Sequence, residues 1–238
     1  MFHVRIWQTG FMEVVGLLSF FVALKLLGDG TVSWLWGLLI PPVYYLLAAA
    51  GSVGFHFLFC HAAWRAPRWV EIALALIGTL LCIGSPIQWA VGHTAHHDYA
   101  DTENDPHNAT SWWGLFLGRY NRPRYSFRFA RHLIRDRFHM TLHRYAVLWI
   151  GFVILTLGLI DWRLMLFGYL APLGLVMFFG ALHNVISHDL GKGPRDLTAL
   201  RWLYPFEWSH GSHHERPRDI TVSPAVVAVV NILKASTK

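Results

Sequence analysis

Charge is scarce in this chain. Asp, Glu, Lys and Arg make up 14% of its 238 residues, against about 25% in an average soluble domain. Cysteine is scarcer, with only Cys60 and Cys82, both inside apolar stretches. That excludes a disulfide framework and a thiolate zinc site. No internal repeat or low-complexity tract is present, so a solenoid and a disordered linker are excluded as well. The length suits one domain, taken as 1–238. What remains is apolar: 54% hydrophobic, with twelve tryptophans and eight tyrosines, rings that concentrate at membrane–water interfaces. The net charge of +6 does not point to nucleic acid, because the basic residues lie between long apolar runs, as on the inner face of a membrane protein.

Five apolar segments stand out, at about 11–27, 33–55, 70–91, 145–160 and 164–182, and a spanning helix needs roughly 20 such residues. Gly28-Asp29-Gly30 joins the first two, and Asp161-Trp162-Arg163 joins the last two. Each pair reads as a tight helical hairpin. Of the twenty Lys and Arg residues, eighteen avoid the hairpin tips and fall at the termini or within 61–144 and 189–218. The positive-inside rule therefore puts those regions and both termini in the cytoplasm. Met1-Phe2-His3-Val4-Arg5 leads into an apolar run with no small-residue cleavage site, so that run is expected to stay as an anchor. Between 119 and 144 stand eight arginines, of which Arg124, Arg128, Arg131 and Arg135 recur at helical steps, with Phe127, Ala130, Ile134 and Phe138 on another face. The pattern predicts an amphipathic surface helix over 124–142, with its arginines near lipid phosphates or docking an acidic donor or a substrate head group.

Fifteen histidines are present, and they cluster. The chain holds His56-x4-His61, His93-x2-His96-His97, Asn184-x3-His188 and His210-x2-His213-His214. On a helix, residues four apart share a face and the residue three on lies aside. His93 and His97 thus aim at one point and His96 at a neighbouring one; His210 and His214 pair while His213 stands apart. Two opposed boxes of this kind can share two metals. Imidazole suits Fe, Zn, Cu and Ni, whereas structural zinc stops at four ligands, often with Cys. Many nitrogen ligands without thiolate favour a redox pair, with iron the better choice and zinc able to take its place in recombinant protein. His3, His107, His132, His139, His143 and His183 read as structural or solvated, His183 being placed to support its neighbours. The boxes also constrain topology. If 70–91 crossed the bilayer, His61 and His93 would lie about 30 Å apart; the segment is therefore expected to be interfacial or re-entrant, broken at Pro67, Gly78, Gly84 and Pro86.

From about Gly54 to Pro217 the sequence resembles the membrane-bound fatty acid desaturases, most closely their stearoyl-CoA and acyl-lipid delta-9 branch. Gly54-Phe55-His56 through His61 is similar to the family's first box, Trp89 through His97 to its second and Glu207 through His214 to its third; Asp105-Pro106-His107-Asn108 is similar to a further element. The resemblance implies an all-α integral membrane protein with four transmembrane helices in two hairpins, interfacial helices and a cytoplasmic di-metal cap. It also implies one iron on His56, His61, His93, His97 and His213, and a second on His96, His188, His210 and His214, with Asn184 acting through water. Trp89 would line the acyl channel. Val91-Gly92 stands where acyl-CoA members commonly place Arg-Asp, which leaves lipid, acyl carrier protein and CoA open as carriers. Gly211 and Phe206 replace a usual asparagine and glycine. Electrons would come from a separate protein such as ferredoxin or cytochrome b5, and O2 would be the co-substrate of a cis desaturation. The rival readings are a di-iron hydroxylase or ketolase of alkanes, sterols or carotenoids, and a non-catalytic membrane metal- or haem-binding protein.

Overall fold

The computed structural model describes residues 7–100, 102, 105, 127–189 and 193–236. Among the described residues, four helical stretches are long and apolar enough to cross a membrane: Phe11–Gly28, Trp34–Cys60, Arg137–Ile160 and Trp162–Ser187. The first lies in α1 (Trp7–Gly28). The second is a composite of a 3-10 turn, α2 (Ile40–Ala49) and a π-helical run over Ala50–Cys60.

Sequence explains both tips. Asp29 ends α1, with its carboxylate accepting from the backbone and hydroxyl of Thr31 and pairing with Lys25 at 2.7 Å. Asp161 does the same at the second tip, accepting from Arg163 N–H and holding its guanidinium at 2.6 Å. That guanidinium lies 4.8 Å over the Trp36 ring, which ties one hairpin tip to the other.

After the composite helix come α3 (Arg68–Thr79) and α4 (Pro86–Tyr99). At 12 and 14 residues they are only about 18 and 21 Å long, too short to span alone. Between them Cys82 (φ 60) and Gly84 (φ 108) reverse the chain, and Ser85 caps α4 by accepting from Gln88 N–H. The turn is wedged among the long helices: Leu81 and Cys82 pack with Leu47, Leu173 and Met177, and Tyr169 donates its hydroxyl to the Leu80 carbonyl at 2.8 Å.

The expected surface helix over 124–142 is corrected by the structure. Arg124 lies outside the described residues, a 3-10 turn covers Phe127–Ala130, and the short α5 covers Arg131–Ile134. Helix α6 (Arg137–Ile160) then starts afresh. Asp136 makes the break by leaving helical geometry and capping the N–H groups of Phe138 and His139. Nothing in the sequence stops a helix between 142 and 145, so 137–142 continues into the apolar helix, with only a kink at Tyr145.

The last long stretch runs through α7 (Trp162–Met165), a π turn over Leu166–Leu170 and α8 (Ala171–Ser187). Helix α8 packs on α1 at a glycine contact, where a Cβ on Gly16 would stand 2.7 Å from Gly174 Cα. Beyond it, β1 (His188–Asp189) and β2 (Gly193–Pro194) form a two-stranded antiparallel ladder, followed by α9 (His210–Glu215) and α10 (Pro224–Ala235). Helix α10 presses Val226 and Val230 into the main core with Phe55, Phe57 and Phe59, beneath the histidines.

Candidate metal centre

The first box is spaced by five, which an α-helix at about 100° per residue would splay about 140° apart. The chain answers with a π-helix: His61 N–H donates to the His56 carbonyl at 3.1 Å, an i to i+5 bond. Both rings then face the same way, 5.0 Å apart. Such helices are rare and concentrate at functional sites. On α4, His93 and His97 meet through Nε2 at 3.1 Å; on α9, His210 and His214 do so at 3.2 Å. His213 leans the other way, with its Nε2 2.7 Å from His56 Nε2 and 3.2 Å from His97 Nε2. His188, at the end of α8, brings its Nε2 to 2.8 Å from that of His210.

Two groups result. His56, His61, His93, His97 and His213 offer nitrogens all within 4.8 Å of one another, and so do His96, His188, His210 and His214. His97 and His214, one from each group, stack at 4.2 Å and join the two. Trp89 stacks on His93 at 5.3 Å and 10°. Asn184 lies one turn before His188, its carbonyl accepting the His188 N–H. His183 itself bonds the Glu207 carbonyl at 3.0 Å. Three other histidines are tied elsewhere: His132 to the Phe59 carbonyl, His139 to Glu71 and His143 to Ser85. His3 and Pro106-His107-Asn108 lie outside the described residues.

The donor set fits metal ions. One ring nitrogen cannot donate to two others, yet His213 Nε2 faces both His56 and His97. Ligands about 2.0–2.1 Å from a metal stand about 3 Å apart at right angles, the range of these contacts. Among the described residues the buried His61 Nε2 has no hydrogen-bond partner. Burial, and then the neighbouring imidazoles, hold His61, His93, His96, His97, His210, His213 and His214 well below the ordinary imidazole range. The rings are therefore neutral, the state in which imidazole binds a cation.

Two carboxylates orient the rings. Asp105 accepts from His96 Nδ1 at 2.8 Å, with both side chains 2% exposed, and Glu207 accepts from His56 Nδ1 at 3.0 Å. Desolvation pushes Glu207 up, but the neighbouring His56, which donates to it, more than offsets this and holds its carboxyl below the usual range. With the proton fixed on Nδ1, the other nitrogen points inward as an acceptor. In the sequence, Asp105 and Glu207 stand out only as parts of motifs. Gly211 is explained too: a Cβ there would come within 2.9 Å of the Arg195 backbone, beside which Asp196 holds Ser212 through N–H and Oγ at 2.8 and 2.6 Å.

No protein-family profile matches the chain. Curated relatives do. An sn-2 palmitoyl-lipid 9-desaturase of Nostoc is 32% identical over 215 residues, covering 83% of this chain and 75% of the relative. The chain belongs to the membrane-bound fatty acid desaturase family. As a desaturase it is an oxidoreductase and an integral membrane protein with an all-α fold, in keeping with its four apolar helices. Two further relatives cover most of this desaturase: an sn-1 stearoyl-lipid 9-desaturase of Anabaena variabilis, 29% identical over 72% of this chain and 67% of its own, and an Arabidopsis thaliana delta-9 acyl-lipid desaturase 2, 26% identical over 81% and 67%.

Proposed function

We propose that this desaturase introduces a cis double bond at the delta-9 position of a saturated acyl chain, using O2 and two irons. The reading rests on one observation above the rest: five and four converging imidazoles in a chain whose relatives are named for acyl-lipid 9-desaturation. His56, His61, His93, His97 and His213 would hold one iron; His96, His188, His210 and His214 would hold the other, with Asn184 reaching it through water. The bound irons would supply O2 activation and the oxidising power to remove two hydrogens from adjacent methylenes, with water as co-product.

The chain's own residues do the rest. Asp105 and Glu207 keep the protons of His96 and His56 at Nδ1. Trp89 sets a flat apolar wall against His93, a surface suited to an acyl chain and to exclusion of water. Nothing chemical distinguishes the reacting methylene from its neighbours, so position must come from the fit of the chain along such walls. A lipid-linked acyl chain is the substrate favoured here, since Val91-Gly92 replaces the charged pair of acyl-CoA members. The metal centre would lie on the cytoplasmic side, where most of the basic residues fall in the sequence, and receive electrons from ferredoxin or cytochrome b5.

Expression in a host whose lipids are then hydrolysed and profiled tests the function. New monounsaturated chains are expected from the native protein and none from His96→Ala. Oxygenated products in their place would move the assignment to a hydroxylase, and unsaturation that survives His96→Ala would refute the site.

A further inference from the structure

The segment between His188 and His210 carries an apolar projection that no spanning helix accounts for. Trp202 is 80% exposed and Leu200 38%, and neither lies in a candidate span. The backbone behind them is fixed. Tyr204 is buried, with its ring 5.1 Å from His183 and 6.4 Å from Phe179 on α8. Tyr44 of α2 sets its hydroxyl 3.4 Å from the Leu203 carbonyl, and Tyr204 N–H donates to the Leu200 carbonyl at 3.0 Å. Trp202 is thereby held outward.

We propose that segment 198–204 is a membrane-seated foot, with Leu200 and Trp202 among the acyl chains of the leaflet nearest the metal centre and Arg201 at the level of the phosphates. The level of the segment selects lipid over a soluble partner. Tyr44 and Phe179 belong to the stretches Trp34–Cys60 and Trp162–Ser187, so the segment lies against helices still within the bilayer. Next to Tyr44 on α2, Tyr45 and Leu46 are 45% and 51% exposed, and the foot continues that lipid-facing surface. An indole suits this boundary. The Arg201 guanidinium lies 5.3 Å over the Trp202 ring, a contact that leaves its outer edge free for an anionic head group. Because the foot shares its segment with His188 and His210, the leaflet bears directly on the chain that links two of the proposed ligands.

The test uses the full chain in phosphatidylcholine vesicles, with Trp202→Cys carrying a nitroxide; Cys60 and Cys82 are buried, so the label goes to the new thiol. Dissolved O2 should relax the nitroxide more than a water-soluble nickel chelate does, the reverse of the order at an Arg218→Cys control. Stronger relaxation by the chelate at 202 would overturn the proposal, as would spin–spin broadening that vanishes on dilution with unlabelled protein, which would put a second copy there. A second measurement avoids the cysteine. The fluorescence that distinguishes the native protein from Trp202→Phe should be lost in vesicles with brominated acyl chains, and its persistence would equally refute the foot.

Discussion

Two carboxylates decide which way the imidazoles face. Without Asp105, His96 can turn its lone pair outward; Asp105→Asn is therefore expected to weaken metal retention or activity by about 10–100-fold while the fold persists, read as metal left after chelator dialysis and as unsaturated lipid formed. Unchanged values would mean that the 2.8 Å contact does not orient the ring. A pH dependence follows from the same cage. Burial holds His61, His93, His96, His97, His210, His213 and His214 below the ordinary value of about 6.5, so below that pH the unfolded chain binds protons that the folded cage refuses, and stability falls as pH falls. Each such ring contributes up to about 1.4 kcal/mol per pH unit inside that window and nothing above it. The chelator-treated protein should melt at a constant temperature above about pH 7 and progressively lower toward about pH 5.5; a flat profile would contradict it. At this scale the histidine boxes were legible because spacing by three and four sorts residues between helix faces. The carboxylates were not: Asp105 is nine residues from its ring and Glu207 lies 151 residues from its own, and no periodicity links such pairs.

Helices show in a sequence through composition, but the points where they touch do not. That the chain has four long apolar stretches was legible, although Arg137–Ile160 begins eight residues before the expected 145; the π-helix under the first box was hidden, because a spacing of five looks like a mismatch until the i to i+5 bond from His61 to His56 is seen. The break at Asp136 was hidden as well, since an arginine period running through it outweighed one capping residue. The crossing of α1 and α8 gives a prediction. A Cβ on Gly174 would meet the backbone of Gly16 and Leu17, so a side chain there must push two spanning helices apart. Gly174→Val should cost about 1–3 kcal/mol, seen as a lower melting temperature in detergent. Gly151→Ala on α6, where a Cβ meets nothing within 4 Å among the described residues, should instead be neutral or stabilise by about 0.5–1 kcal/mol through helix propensity. If the two substitutions behaved alike, close packing would not be what holds α1 to α8.

Across the whole molecule, the metal centre depends on topology before it depends on any one ligand. The rings of His61 and His93 lie 5.4 Å apart, yet 31 residues of mostly apolar chain separate them. Had α3 and α4 formed one spanning helix, those rings would stand about 30 Å apart, on opposite faces of the bilayer. The turn at Cys82 and Gly84 instead sends the chain back, and the Leu80 carbonyl accepts from the Tyr169 hydroxyl at 2.8 Å, the kind of pairing that backbone inside a membrane would require. The proposal that this hairpin is re-entrant makes a definite claim about access. In sealed vesicles, a membrane-impermeant maleimide added on the side of the hairpin tips should label Asp29→Cys and leave Leu80→Cys untouched, while Arg218→Cys should react only from the other side. Labelling of residue 80 from the tip side would mean that 70–91 crosses the bilayer, and one face could then no longer gather all four histidine-bearing segments.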